Sequence, residues 1–173
     1  FDFSIYFTQR KYHASELARG FVGKVDGVFA VGGDGTVNEI ASALLNSNTP
    51  MGIIPAGSGN GLARHLHIPL MPGKALKELI NGDITSIDSG TANGQPFFML
   101  AGLGFDAHIA EKISQIKLRG KQAYFRLVTK EFVKFNTRQI HAEWEGGDYS
   151  GNPFLFNIAN ATQFGNNMKI APS

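Results

Sequence analysis

Residues 25–45 read VDGVFAVGGDGTVNEIASALL, an apolar run that passes into a helix through Gly32, Gly33, Asp34 and Gly35. Val28, Phe29, Ala30 and Val31 are unbroken apolar residues, the pattern of a strand buried on both faces of a parallel sheet. Beyond Thr36, the apolar positions Val37, Ile40, Ala41, Leu44 and Leu45 recur at helical spacing, which predicts a helix with one buried stripe. The glycines between strand and helix remove side chains where a ligand would approach. Free backbone N–H groups and a helix N-terminus then converge on one point, which suits an anion and most often a phosphate.

A tight turn of the same glycines with no ligand is the competing reading, and a lone GxGxxG-like string does not separate the two. Asp34 tips the balance, because a carboxylate beside a phosphate is repelled unless a divalent cation or a shared proton lies between them. Its presence points to phosphoryl chemistry with Mg2+. Thr36-Val37-Asn38-Glu39 fits the S/T-x-x-E capping box, so Glu39 is expected to be structural.

Working outward, Phe1, Phe3, Ile5 and Phe7 alternate with polar residues and predict a strand, with a loop at residues 8–10 and a helix over 14–21. On the other side, residues 51–54 predict a buried strand. The loop Pro55-Ala56-Gly57-Ser58-Gly59-Asn60-Gly61 follows, and then a short helix over 62–66. Two glycine loops at the carboxyl ends of neighbouring parallel strands define a crevice, where open α/β sheets bind ligands. Asn60 reads equally well as a helix N-cap. His65 and His67 are two residues apart, which on a helix separates them by about 200° and argues against a shared metal. A further short helix is expected over 74–80.

From Ile84 the pattern becomes antiparallel. Residues 84–92 and 95–102 flank Asn93-Gly94, a strong hairpin signal. Helices are expected over 107–117 and 121–135, separated by Gly120, then a strand over 139–145 and a turn at Gly146-Gly147 leading to a strand over 153–159. A boundary near residue 88 is therefore expected. Asp88 and Asp106 are further candidate acids, with an Asx turn and a helix N-cap as the competing roles.

GGDGTVNEIASAL and IIPAGSGNGLAR (53–64), with TQRKYHA (8–14), IDSG (87–90), AGLGFDA (101–107) and FGNNMKIAP (164–172), together resemble the catalytic domain of the diacylglycerol kinase family. That family includes sphingosine kinases and bacterial lipid kinases. The resemblance implies a two-lobed α/β protein, with a parallel-sheet nucleotide-binding domain at 1–88 and part of a β-rich lipid-substrate domain with helical insertions at 89–173. It implies ATP and Mg2+ as cofactors. Thr8, Gly32, Gly33, Asp34, Gly35, Thr36, Asn38, Gly57, Ser58, Gly59 and Asn60 are expected at the nucleotide. Many family members carry an acid directly after the asparagine; Gly61 here is similar to the sphingosine-kinase branch. The family's earlier phosphate loop and its downstream catalytic aspartate have no match in this sequence, so the chain is expected to be incomplete at both ends. Asp34 is the in-chain candidate for the catalytic acid.

With 173 residues, 43% hydrophobic and 17% charged, the chain can bury a core and is not expected to be disordered. It has no cysteine, and its longest apolar stretch, Phe97 to Phe105, is far shorter than the roughly 20 residues of a spanning helix. A soluble, cytoplasmic protein is expected, peripheral at the inner face of the membrane. The formal net charge is +2, yet Lys112 to Arg138 is cationic throughout, with Glu131 as its sole acid. Arg126, Lys130 and Lys134 share one helical face, a candidate contact for anionic lipid. No nucleic-acid partner is expected. Two other readings stay open: an NAD kinase-like phosphotransferase, whose family shares GGDGT but not the GSGN loop in this position, and a non-catalytic nucleotide- or lipid-binding module.

Overall fold

In the computed structural model, which describes residues 2–115, 121–161, 163–165 and 168–169, the apolar run is a strand, β1 (Val28–Gly32). Lys117, Arg119, Gly120 and residues 166, 167 and 170–173 of the sequence features above lie outside the described residues. β1 pairs in parallel with β2 (Met51–Pro55), from Val28 opposite Met51 to Gly32 opposite Pro55. A parallel pair needs a crossover, and α2 (Asp34–Leu44) supplies it. Val37, Ile40, Ala41 and Leu44 of α2 are buried as their spacing requires. Val37, Ile40 and Leu44 each contribute about 1.5–3 kcal/mol by leaving water. Leu45 falls at the C-cap instead and stays 37% exposed.

Ala30, Ile53 and the α2 stripe form one core with Ala14 and Ala18 of α1 (His13–Phe21), Leu62 and Ala63 of α3 (Gly61–His65), and Phe98. The expectation that β1 is buried on both faces is corrected. Ala30 is fully buried, but Phe29 and Val31 on the other face are 49% and 61% exposed. Among the described residues that second face is covered by α4 (Pro72–Asn81), which lies against β2 and leaves β1 open. Gly52 of β2 admits the Phe29 ring, since a Cβ there would overlap it and come within 3.2 Å of Leu79.

The expected strand over residues 1–7 is also corrected. Residues 2–9 have no regular structure, and Phe3, Ile5 and Phe7 are exposed. Alternation alone cannot make a strand, because its backbone N–H and C=O groups need a partner ladder; the sheet described here is β1 and β2.

The hairpin is present but shorter than expected. β3 (Gly90–Ala92) pairs antiparallel with β4 (Gln95–Phe97). Asn93 and Gly94 take φ of 49° and 74°, the two positive angles of a type I′ turn.

By packing density the chain forms two compact units, one of Phe1–Leu100 with the segment from Ala159 onward, the other Ala101–Ile158. Within the second unit, β5 (Leu100–Gly104) pairs with β8 (Leu155–Ala159), and α5 (Phe105–Gln115) and α6 (Lys121–Lys134) follow β5. Gly104 has φ of +107°, and a Cβ there would run into the Phe154 carbonyl, which accepts a bond from the Phe105 N–H. The rings of Phe105, Phe132, Phe135 and Phe154 pack with centroids 4.9–5.7 Å apart. His108 Nε2 of α5 lies 2.6 Å from Glu131 Oε2 of α6, a contact that holds the Glu131 carboxyl below its ordinary pKa. The turn expected at Gly146-Gly147 instead closes a hairpin: β6 (Ile140–Trp144) pairs antiparallel with β7 (Gly147–Gly151), with Gly146 at φ +96°. In the first unit, β9 (Gln163–Gly165) and β10 (Met168–Lys169) form a short antiparallel pair.

Candidate functional site

The parallel register of β1 and β2 sets their carboxyl ends side by side, and the two glycine loops grow from those ends. The Ala56 N–H donates to the Gly32 carbonyl (2.9 Å), which ties one loop to the other through backbone. Gly33 and Gly57 touch at their Cα atoms: a Cβ on Gly33 would lie 3.1 Å from the Gly57 Cα, and a Cβ on Gly57 would overlap Gly33. These two glycines are required by each other. Gly35 is different, since a Cβ there meets nothing within 4 Å.

Asp34, the first residue of α2, reaches across to the second loop. Its Oδ2 accepts the Asn60 N–H (3.0 Å) and its Oδ1 accepts the Gly61 N–H (2.6 Å), two charge-assisted bonds to the start of α3. Gly59 must lack a side chain for this to happen, because a Cβ there would approach Asp34 Oδ2 to 2.6 Å. Asn60 sits at the N-cap position of α3 with φ of 51°, yet its side chain does not cap the helix. It clamps Gly57 instead, with Oδ1 accepting the Gly57 N–H (2.9 Å) and Nδ2 donating to the Gly57 carbonyl (2.6 Å). Arg64 Nε donates to the Gly59 carbonyl (3.0 Å) and closes the brace.

The outcome is a pair of loops braced against each other, with several amides left over. The N–H groups of Asp34, Gly35 and Thr36 precede the first intrahelical bond of α2, from Val37 to the Gly33 carbonyl, and have no acceptor among the described residues. The same holds for Ser58 and Gly59 in the second loop. A positive helix end and unsatisfied N–H groups form a receptor for an anion. Ser58, Asp34 and Gly35 are exposed to solvent there.

The capping box is corrected. α2 begins at Asp34, with Gly33 as an N-cap that has no side-chain bond. An acid in the first turn suits the helix dipole, so the helix extends back past Thr36. Thr36 instead packs over Gly32, where a Cβ would come within 2.8 Å of it. Glu39 does prove structural, by another route: its Oε1 accepts the Tyr12 N–H (2.9 Å), pinning the left-handed Tyr12 at the start of α1.

Of the other predicted residues, Asn38 is exposed on α2, and Thr8 lies in the exposed segment before α1 with no hydrogen bond to either loop among the described residues. Asp106 Oδ1 accepts the Ala107 N–H (2.7 Å) within the first turn of α5. Asp88 lines a cavity of about 240 Å3 with Leu62, His65, Ser86, Ile87, Phe98 and Asn160. Asn160 was not singled out on the sequence, though its Nδ2 donates to the carbonyls of Asp88 (2.7 Å) and Phe98 (3.2 Å). It lies 72 residues from Asp88, so no local pattern could have shown the link.

Among the described residues no cluster of three His, Cys, Asp or Glu side chains could hold a metal. Mg2+ delivered with a polyphosphate is held by one or two carboxylates, phosphate oxygens and water and needs no protein cage. Asp34 is the carboxylate at the loops, and each of its oxygens keeps a lone pair beyond the bond it accepts.

The family described as the diacylglycerol kinase catalytic domain matches residues 1–92. A diacylglycerol kinase of Bacillus subtilis (strain 168) is 33% identical over 152 residues, covering 85% of this chain and 50% of the relative. A probable lipid kinase, YegS-like, of Yersinia enterocolitica is 33% identical over 158 residues, covering 86% and 52%. The crystal structure of a putative diacylglycerol kinase from Bacillus anthracis str. Sterne superposes with a TM-score of 0.74 at 28% identity, covering 94% of this chain and 56% of that one. The chain thus spans about half the length of the curated relatives it matches.

Proposed function

Because this chain belongs to the diacylglycerol kinase catalytic-domain family, we propose that it is part of an ATP-dependent lipid kinase that moves the γ-phosphate to a lipid hydroxyl. The observation that carries the reading is the braced pair of loops, in which the amides of Asp34, Gly35, Thr36, Ser58 and Gly59 have no acceptor among the described residues and no side chain lies over Gly35. Phosphoryl transfer asks chiefly for positioning and charge neutralisation. The loop amides take the phosphate oxygens, and the α2 N-terminus adds its dipole. Asp34 holds the two loops in register and is the acid that this reading sets beside the transferred group. Mg2+ supplies further charge neutralisation when bound, with Asp34 as its protein ligand.

In this reading the nucleotide-binding residues belong to the unit of Phe1–Leu100, with Thr8 and Asn38 at the edge of the site, and the β-rich lipid-substrate domain expected over 89–173 has a compact unit of its own in Ala101–Ile158. The protein works at the inner, cytoplasmic face of a membrane as a peripheral enzyme. Among the described residues no helix is long and apolar enough to cross a bilayer.

The test is transfer of label from γ-labelled ATP to diacylglycerol or sphingosine in mixed micelles by the whole enzyme of which this chain is part, with NAD as the competing acceptor. Label on a lipid is the expected result. Label on NAD would replace the reading with an NAD kinase-like one, and ATP binding without any transfer would make the chain a binding module.

A further inference from the structure

Gly61, the first residue of α3, is a poor helix former, and the space around it shows what keeps a side chain away. A Cβ on Gly61 would overlap the Met99 methyl group, lie 2.9 Å from the Met99 sulfur and lie 3.6 Å from Asp34 Oδ1. The Met99 thioether and the Asp34 carboxylate thus flank one small volume at the Gly61 Cα. The Gly61 N–H, which Asp34 Oδ1 accepts at 2.6 Å, makes that volume part of the brace between the two loops. Met99 is itself held from behind. Its carbonyl accepts the N–H groups of Asn160 (2.7 Å) and Ala161 (3.1 Å), and the Asn160 side chain donates to the neighbouring Phe98 carbonyl (3.2 Å). The Met99 side chain is partly buried against the core of the first unit.

Methionine fills irregular gaps with an apolar chain whose sulfur is only a weak acceptor. Beside Gly61 that weakness is useful, because the thioether closes the gap without competing with Asp34 for the amide. Oxidation reverses the property. Hydrogen peroxide takes two electrons from the sulfur and its O–O bond breaks, leaving one oxygen as the sulfoxide while the other departs as water. The sulfoxide oxygen is a polar acceptor that competes for the Gly61 N–H and repels the Asp34 carboxylate. We propose that Met99 is a positioning residue for Asp34, and that oxidation of its sulfur by a peroxide releases the loop brace. Reduction of the sulfoxide by a methionine sulfoxide reductase restores it. The consequence for ATP rests on the reading of the loops as a phosphate receptor, but the brace is measured without nucleotide, so each can fail alone.

Hydrogen exchange at the Asn60 and Gly61 amides, before and after hydrogen peroxide, in the whole enzyme of which this chain is part, is the test. Exchange should quicken about tenfold on oxidation, from the loss of one charge-assisted hydrogen bond, and ATP affinity should fall by a similar factor. Sulfoxide reductase should return both to their starting values. In Met99→Leu, peroxide should change neither value, although Met71, 62% exposed, is oxidised in parent and variant alike. Met99→Gln, which sets an amide oxygen in the same gap, should exchange quickly without peroxide. Unchanged exchange in a parent whose Met99 carries the added oxygen by mass would overturn the proposal. So would a Met99 that stays reduced while Met71 is oxidised, or an equal response to peroxide in Met99→Leu. A parent that never binds ATP would count against the phosphate reading, with the exchange rates still deciding this one.

Discussion

Gly35→Ala should leave the protein at least as stable as the parent and yet lower its ATP affinity about tenfold or more, a loss of about 1.4 kcal/mol. Gly35 lies in the first turn of α2, and alanine is favoured over glycine in a helix by up to about 1 kcal/mol. A Cβ at this position meets no protein atom within 4 Å. Nothing in the fold therefore resists the methyl group, and only a ligand approaching the backbone would. Isothermal titration with ATP, beside a thermal melt, measures both. An unchanged Kd would mean that the open space over Gly35 is not where phosphate lies. Gly33 reads from the sequence as the same kind of position, but a side chain there would press on the Gly57 Cα, so its replacement confuses loop packing with ligand binding.

Asp34→Asn should cost about 1–2 kcal/mol of stability and lower phosphoryl transfer by about 100-fold or more. The sequence suggests a carboxylate wanted only for Mg2+ or proton handling, with the fold spared. The structure adds a second duty, because the Asn60 and Gly61 N–H groups each need an acceptor and both find one on this carboxylate. An asparagine offers a single oxygen and sets its NH2 group against the remaining donor. Asp34 is exposed, so the usual 1.5–3 kcal/mol for a hydrogen bond to a charged group is discounted to the lower range. Loss of turnover and ATP affinity together, with a lowered melting temperature, marks the brace. Lost turnover with both others intact marks a purely chemical acid. Wild-type turnover would make Asp34 a turn residue alone.

The parts of the fold that were legible in sequence are those whose signal is local. The α2 stripe of Val37, Ile40, Ala41 and Leu44 and the Asn93-Gly94 turn each depend on residues within one element, and each formed. β1 and β2 were legible for the same reason, though the exposure of Phe29 and Val31 was not, since it depends on what packs over the sheet. Residues 2–7 alternate as a strand should but pair with no strand among the described residues. β7 went unseen because Gly147, Asp148, Tyr149, Ser150 and Gly151 carry turn chemistry and are held extended by their cross-strand partners in β6.

At the site, the loops could be read from their glycines, but not how they are fastened. Asp34 to Gly61 and Glu39 to Tyr12 are each contacts across 27 residues. Neither leaves a periodic trace. In both cases a side chain whose sequence points to another role, a ligand-side acid for Asp34 and its own helix cap for Glu39, satisfies a backbone amide on another element.

The central claim is that the two braced loops receive the phosphates of a nucleotide, and backbone amide resonances report it most directly. On titration with ATP and Mg2+, the largest shifts should fall on Asp34, Gly35, Thr36, Ser58 and Gly59, the amides without an acceptor among the described residues. The pyrophosphate part alone should reproduce them. Shifts confined to other parts of the chain, with these five amides unmoved at saturating ATP, would contradict the account.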